Sequence, residues 1–263
     1  MPDDAPRIAH YRRNLGFCTD AGIAPRARIG LVALATDQTI ETEFRHTVGL
    51  PGVGLFESRI YNDARITPET LRAMERDIGL GAGLILPGER LDVMAFGCTS
   101  ATIVLGEEVV FGHLRTGRPE VACTTPPTAV LAALARLGAG RIAVLTPYRD
   151  NVNAAVAEFL AQRGVEVAAF GSFSEDDDRV VARIDPASIR AAILDLGAAA
   201  EVEAVFVSCT SLRLVAEAAA IEAALGKPVT SSNHAMAWHA LRLARIDDRL
   251  PQFGRLFTLG TDA

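Results

Sequence analysis

Aromatic residues, clusters of basic residues and long apolar runs are all scarce in this sequence of 263 residues. Phe, Trp and Tyr make up 6% of it whereas 49% is hydrophobic, which suits helices packed closely on a sheet. The net charge is −6 and no block of Lys and Arg occurs, so we expect neither nucleic-acid nor membrane-surface binding. The first residues lack the apolar core of a secretory signal, and no apolar run reaches about 18 residues. We therefore expect a soluble, cytoplasmic protein.

The cysteines form no metal-binding or disulfide pattern. They are Cys18, Cys98, Cys123 and Cys209. None belongs to a C-x-x-C pair and the histidines do not cluster with them, so we predict free thiols and no metal site. The glycine pairs lack a full dinucleotide fingerprint, so no cofactor is predicted. Cys18 and Cys123 are interpreted as buried, unreactive thiols, and His234 and His239 as structural.

Buried strands and helices alternate along the chain. Strands are predicted over 28–35, 52–60, 91–97, 141–148 and 204–209, and one helix over 67–83. Thr36 or Asp37 is placed to cap the helix that follows the first strand. Strands that alternate with helices predict parallel sheets with right-handed crossovers.

The two halves of the chain repeat the same order of elements. Ile29 is 113 residues from Ile142, Cys98 is 111 from Cys209, and Val121 is 108 from Val229. Three similar spacings predict an internal duplication. We predict an α/β fold of two pseudo-symmetric parallel-sheet lobes with an active site in the cleft between them.

Three segments follow from this reading of the chain. They are an N-terminal arm (1–27), a first α/β lobe (28–138) and a second α/β lobe (139–263), whose C-terminal helix packs back on the first lobe. The arm is polar and contains proline, and we expect it to lie on the surface or on a partner subunit. We expect a homo-oligomer.

Cys98 and Cys209 stand at the ends of equivalent strands. Ligands of parallel sheets bind beyond the C-terminal strand ends, so a pseudo-twofold axis would place both thiols on one cleft. Each is followed by Thr and Ser, in GCTSAT and SCTSLR. We predict that a helix begins after each cysteine, where its N-terminal N–H groups would lower the thiol pKa and hold a carboxylate. Rapid alkylation by iodoacetamide at neutral pH is then expected.

These motifs resemble the aspartate/glutamate racemase superfamily, in particular its maleate isomerase and arylmalonate decarboxylase branch. The resemblance runs from about Arg28 to Arg245 and rests on RIGLVALATDQTIETE, AFGCTSAT, VLTPYRDNVN, VSCTSLR and PVTSSNHAMAWHALR. It implies a cofactor-independent isomerase in which Cys98 adds to a double bond and Cys209 donates and removes the proton. It also implies that Tyr148 binds a substrate carboxylate, for which backbone and hydroxyl groups of Thr99, Ser100, Thr210 and Ser211 are further candidates.

Two positions depart from the maleate isomerase pattern. Asp37 and Asp178 align where maleate isomerases have carboxylate-binding asparagines. Two like charges about 4 Å apart repel by several kcal/mol in a partly dry cleft. Either these aspartates support other groups, or they bind an ammonium or amide of the substrate. Asp37 as a helix cap and Asp178 as a loop charge are the alternatives.

Other functions stay open at this point. The superfamily includes amino-acid racemases and a protein of ectoine-utilisation gene clusters, so racemisation of an amino acid or acylated diamino acid is the main alternative. Arylmalonate-type decarboxylases keep only the second cysteine, which disfavours that reaction here. A non-catalytic protein that binds small acids would have no need for paired thiols. Two interpretations stay open for Asn153, Arg213 and Asn233. They are either loop, surface or cap residues, or contacts to the substrate.

Overall fold

The computed structural model describes residues 10–260 and contains two four-stranded parallel sheets. The first consists of β1 (Ala27–Leu34), β2 (Val53–Ile60), β3 (Val93–Phe96) and β4 (Ala122–Thr124), in the order β2-β1-β3-β4. The second consists of β5 (Arg141–Thr146), β6 (Glu166–Ser172), β7 (Ala204–Val207) and β8 (Val229–Ser231), in the order β6-β5-β7-β8. The second order repeats the first, and the predicted pair of equivalent parallel-sheet lobes is confirmed.

The helices cover the faces of both sheets. They are α1 (Ile40–Val48), α2 (Pro68–Ala73), α3 (Glu75–Leu84), α4 (Thr99–Leu105), α5 (Glu107–Leu114), α6 (Pro126–Leu137), α7 (Asp150–Gln162), α8 (Asp178–Val181), α9 (Pro186–Gly197), α10 (Ala218–Leu225) and α11 (Ser232–Leu243). Two short 3-10 turns, Pro251–Phe253 and Leu256–Thr258, follow. No helix among the described residues is long and apolar enough to cross a membrane.

Local sequence explains where several helices begin. Thr67 and Thr70 form a capping box ahead of α2, with Pro68 at its first position. The single helix predicted over 67–83 is wrong, because the chain divides into α2 and α3 at Met74. At α1, Oδ1 of Asp37 accepts hydrogen bonds from the N–H groups of Thr39 (2.7 Å) and Ile40 (2.9 Å). The N-cap residue of α1 is Thr39 rather than the predicted Thr36 or Asp37, but the Asp37 side chain still satisfies N–H groups at the start of the helix.

The core is continuous between the lobes. β1 and β5 are almost fully buried, which accounts for their uninterrupted apolar sequence. Helix α11 packs against α6 and α1 of the first half of the chain. His234, in α11, bonds to Thr230 Oγ1 (3.0 Å) and to the Phe253 carbonyl (2.7 Å), and burial lowers its pKa to about 4. Its role within the core is structural.

The N-terminal arm contains no strand or helix in its described part, residues 10–26. The rest of the predicted arm, residues 1–9, lies outside the described residues. Cys18 is exposed, so its prediction as a buried thiol is wrong. Cys123 is buried on β4, where its thiol lies 3.6 Å from the Val121 carbonyl, as expected of an unreactive cysteine.

Candidate active site

Cys98 and Cys209 line the same small cavity, although they come from different sheets. Each stands two residues beyond the end of its strand, β3 and β7 respectively. Both are buried. Of the other predicted site residues, the lining includes Thr99, Ser100, Tyr148, Asp178 and Thr210 but not Asp37 or Ser211. The cavity volume is about 30 Å³, which is room for only a few water molecules.

Cys98 occupies the N-cap position of α4. Its Sγ accepts a hydrogen bond from the Ala101 N–H at 3.4 Å and lies 3.8 Å from Ser100 Oγ. Thr99 Oγ1 bonds to Ser232 Oγ, at the start of α11, at 2.7 Å. The predicted helix after the first cysteine is thus present, and one of its first N–H groups donates to the thiol.

The chain after Cys209 does not form the predicted helix. Residues 208–217, which we call the Cys209 loop, connect β7 to α10 without regular structure. The N–H groups of Leu214 and Val215 donate to the carboxylate of Glu43, at 2.7 and 2.8 Å, and are therefore unavailable for helical hydrogen bonds. The Ser211 N–H lies 3.4 Å from Cys209 Sγ and donates to it.

The predicted lowering of the thiol pKa values is wrong. Burial raises the pKa of Cys98 to about 12, against the opposing effect of the Ala101 N–H. Burial likewise raises the pKa of Cys209, with the Asp178 charge adding to the rise. A buried thiolate loses its hydration, and here two N–H donors do not compensate for that loss. Both thiols are neutral at pH 7 in the unliganded protein.

We expect iodoacetamide to alkylate Cys98 and Cys209 slowly at pH 7, and about tenfold faster for each pH unit up to pH 10, because only the thiolate reacts. Mass spectrometry of timed digests measures each site, with exposed Cys18 as the internal reference. The slow, pH-dependent alkylation expected here replaces the expectation of rapid alkylation at neutral pH. A plateau in either rate below pH 9 would contradict it.

Tyr148 lies near both thiols. It stands two residues beyond β5, is fully buried, and its hydroxyl is within hydrogen-bonding reach of Cys209 and Ser100. Burial and the neighbouring thiols raise its pKa above the ordinary value, so the phenol stays protonated and can donate. Asn153 fixes the turn, because its Nδ2 donates to the Tyr148 carbonyl at 2.8 Å.

The two aspartates differ in how their oxygens are used. Both oxygens of Asp178 accept hydrogen bonds from hydroxyls, one from Ser211 at 2.7 Å and one from Thr36. Oδ2 of Asp37 is buried and makes no hydrogen bond of ordinary geometry in the described structure, although the Thr210 hydroxyl is near enough to lower its pKa. Burial outweighs this effect and raises the pKa of Asp37 to about 6, and its charge in turn raises the pKa of both cysteines. Asp37 is thus within electrostatic reach of the thiols without lining the cavity.

Sequence reasoning missed the segment that covers the cavity. The cover segment, residues 61–74, connects β2 to α3 and contributes Asn62, Asp63, Arg65, Ile66, Thr70, Leu71 and Met74 to the lining. Asn62 donates through Nδ2 to Thr36 Oγ1 at 2.7 Å. Like Cys98, Asn62 stands two residues past the end of a strand, and that position is the signal that could have found it.

The cover segment is bonded to the second lobe. The Ile66 N–H donates to the Asp176 carbonyl at 2.9 Å, and the Asp178 N–H donates to the Ala64 carbonyl at 3.0 Å. Arg65 also pairs with the Asp176 carboxylate at 2.5 Å. We call these contacts the clasp. They hold the cavity closed across the two lobes.

Two of the ambiguous residues lie away from the cavity lining. Arg213 donates to the Ile184 carbonyl at 2.8 Å and is exposed, so it is not placed to bind a ligand beside the thiols. Asn233 is fully buried in α11, where its Nδ2 donates to the Thr210 carbonyl at 2.7 Å. Among the described residues, no group of three or more His, Cys, Asp and Glu side chains is arranged to hold a metal ion.

Comparison with known proteins gives one consistent family. A family model described as arylmalonate decarboxylase matches residues 111–257. Arylmalonate decarboxylase of Bordetella bronchiseptica is 36% identical over 144 residues, which cover 54% of this chain and 59% of that protein. Maleate isomerase of Nocardia farcinica is 30% identical over 250 residues, which cover 87% of this chain and 94% of that protein.

Solved structures extend the similarity to nearly the whole of each relative. A Nocardia farcinica maleate cis-trans isomerase variant with a covalently bound succinylcysteine intermediate superposes with a TM-score of 0.81 at 26% identity, covering 88% of this chain and 98% of that chain. A liganded variant of arylmalonate decarboxylase gives 0.78 at 28% identity, with coverages of 88% and 98%. With a family model that spans more than half of its residues and a full-length relative at 30% identity, the chain belongs to the arylmalonate decarboxylase family.

Proposed function

We propose that this chain is a cofactor-independent isomerase of a small carboxylic acid, of the maleate cis–trans isomerase type, with Cys98 and Cys209 as its catalytic residues. One observation carries the proposal: two buried thiols from equivalent strand ends of the two lobes line a single closed cavity. The similarity to maleate isomerases over nearly their whole length supports the same reaction. The predicted cytoplasmic location and homo-oligomeric state remain predictions.

The reaction requires one thiolate and one thiol, so Cys98, which is neutral in the unliganded protein, first releases its proton to solvent. The Cys98 thiolate forms a C–S bond to one alkene carbon as Cys209 gives its proton to the other, which leaves a succinyl thioether and a Cys209 thiolate. Rotation about the new single bond is then free. Cys209 removes the proton, the C–S bond breaks, and the trans acid and the starting Cys98 thiolate are restored. Atoms and charge balance without any cofactor.

The polar groups of the cavity suit a substrate carboxylate. Tyr148 offers a neutral hydroxyl. The first N–H groups of α4 lie at the N-terminal end of that helix, where Cys98 is the N-cap residue. Thr99, Ser100 and Thr210 line the same space. Ser211 differs, since its hydroxyl already donates to Asp178. We therefore assign Ser211 a role through its N–H group on Cys209 rather than through its hydroxyl.

A second candidate substrate class follows from Asp37. Asp37 does not line the closed cavity, but if the site opens to admit a ligand its buried Oδ2 would favour one that brings a hydrogen-bond donor, such as the ammonium or amide of an amino-acid derivative. Such a substrate would be racemised if the two cysteines exchanged an α-proton on opposite faces. Asp178, whose oxygens are both occupied, is assigned instead to holding Ser211 and Thr36 in place.

Proton NMR in deuterated buffer separates these reactions. Maleate, aspartate, glutamate, diaminobutyrate and its acetyl derivatives are each incubated with the protein in the presence of a chelator. A cis–trans isomerase produces the vinyl signal of fumarate from maleate, whereas a racemase erases the α-proton signal without forming a new compound. We expect conversion of at least one of these acids with undiminished rate in the chelator. Absence of both signals throughout the panel would contradict the proposed function.

A further inference from the structure

The Cys209 loop is bound by a carboxylate from the other lobe. Glu43 lies on α1, which packs beside the first sheet, and the side chain is buried. Its Oε1 accepts the N–H groups of Leu214 and Val215, at 2.7 and 2.8 Å. An irregular loop cannot satisfy these N–H groups through its own carbonyls as a helix would, so the carboxylate supplies the missing acceptor.

The same carboxylate reaches the beginning of the loop through Asn233. Nδ2 of Asn233 donates both to Glu43 Oε2 and to the Thr210 carbonyl, each at 2.7 Å. Thr39, one helical turn before Glu43 on the same face of α1, donates to the Ser211 carbonyl at 3.1 Å. The loop is therefore held from residue 210 to residue 215 by a single face of α1 together with Asn233.

This arrangement holds the chain beside Cys209 directly, whereas it reaches Cys98 only through α11, where Ser232 bonds to Thr99. The Ser211 N–H, which donates to Cys209 Sγ at 3.4 Å, belongs to the stretch held in this way. The corresponding donor to Cys98 is the Ala101 N–H, inside α4, whose position is fixed by the helix itself. Loss of the Glu43 carboxylate should thus disturb Cys209 and leave Cys98 as it is.

We propose that Glu43 is a positioning residue for Cys209, which holds the loop so that the Ser211 N–H and the thiol face the cavity correctly for proton transfer. The expected effect on turnover rests on the proposed function. The expected effect on the reactivity of the Cys209 thiol does not. The sequence does not indicate this role of Glu43. Glu43 follows no strand end, belongs to neither cysteine motif, and lies far from both cysteines along the chain.

Glu43→Gln tests this with little change in shape. The amide oxygen can still accept from Leu214 and Val215, but its NH₂ group would meet the NH₂ group of Asn233, so two donors face each other. Glu222→Gln is the matched control. Glu222 is a partly buried carboxylate that also accepts two backbone N–H groups, from Val229 (3.0 Å) and Arg255 (2.7 Å), remote from the cavity lining.

We expect Glu43→Gln to lower kcat by about tenfold or more with KM changed by less than about twofold, because a displaced proton donor slows chemistry more than binding. The second expected effect is on the ratio of the Cys209 to the Cys98 alkylation rate by iodoacetamide at pH 9. This ratio should be at least about threefold higher in Glu43→Gln than in the wild type, since the loosened loop exposes Cys209. Burial raises the pKa of Glu43 to about 7, so its carboxylate is ionised in this assay. Glu222→Gln should change neither quantity.

Two outcomes would overturn the inference. The first is an unchanged ratio of Cys209 to Cys98 alkylation in Glu43→Gln, whether neither thiol is accelerated or both are accelerated equally by general loosening. The second is the same shift of the ratio in Glu222→Gln. The alkylation ratio needs no substrate. If the wild type turns over none of the acids tested and the ratio still shifts, the proposed function fails while the positioning role stands.

Discussion

Cys98→Ser and Cys209→Ser are each expected to lower kcat by about 100-fold or more while the fold stays intact, because a serine hydroxyl is far less acidic than a thiol and cannot supply the required anion or exchange the proton. Both residues are buried and serine is nearly isosteric, so circular dichroism and the melting curve should remain close to those of the wild type. Initial rates on the substrate identified by NMR measure the effect.

Cys123→Ser is the matched control for these variants. Cys123 is also buried at a strand of the first sheet, but it does not line the cavity. We expect its replacement to leave kcat within about twofold of the wild type, apart from any loss of stability. If either Cys98→Ser or Cys209→Ser keeps more than about a tenth of the wild-type rate, the paired-thiol mechanism is wrong.

Asp37→Asn is expected to change which substrate the protein prefers. The asparagine oxygen can keep the N–H groups of Thr39 and Ile40, while its NH₂ group replaces the unpartnered Oδ2. If the site opens enough for a maleate carboxylate to reach residue 37, which does not line the closed cavity, the carboxylate would then meet a donor instead of a negative charge. A charge-assisted hydrogen bond contributes about 1.5–3 kcal/mol, so kcat/KM for maleate should rise about 10-fold to 100-fold and fall for an amine-bearing acid.

The pH dependence of this gain gives an independent check. Burial raises the pKa of Asp37 to about 6, so below pH 6 the wild-type carboxyl is protonated and can itself donate. The ratio of kcat/KM values, variant over wild type, on maleate should therefore be smallest near pH 5 and grow toward pH 8. Because both proteins share the same thiols, their titration cancels in this ratio.

Asp178 provides the contrast. Both of its oxygens accept hydrogen bonds from hydroxyls. A hydroxyl can also accept a hydrogen bond from an amide, so Asp178→Asn should alter the preference between maleate and an amine-bearing acid much less than Asp37→Asn does. The double variant should behave like Asp37→Asn. If wild-type protein already converts maleate well and Asp37→Asn lowers that rate, the selective role assigned to Asp37 is wrong.

Strand ends were the most informative feature of the sequence. Cys98, Tyr148 and Cys209 each stand two residues beyond a parallel strand, and the structure brings all three to one cavity. Asn62 occupies the same position after β2 and also lines the cavity, but no distinctive motif marks it in the sequence, and it was overlooked for that reason. Thr36 occupies this position after β1 without lining the cavity.

Other features depend on burial and on contacts between distant segments. The direction of the thiol pKa shifts was predicted wrongly, because helix N–H groups are apparent in a sequence whereas the desolvation that outweighs them is not. Glu43 acts on Leu214 and Val215 across the two lobes, and no local pattern records such a contact. The irregular loop after Cys209 is a consequence of the same contact.

The clasp has a consequence for side reactions. A four-carbon diacid is several times larger than the closed cavity of about 30 Å³, so it enters only when the bonds between the cover segment and residues 176–178 are broken. The Asp178 N–H is one of those bonds. An acid that fills the enlarged space between the cover segment and the second lobe leaves no room for water beside the alkene. Hydration to a hydroxy acid should therefore be absent from the products, even over many turnovers.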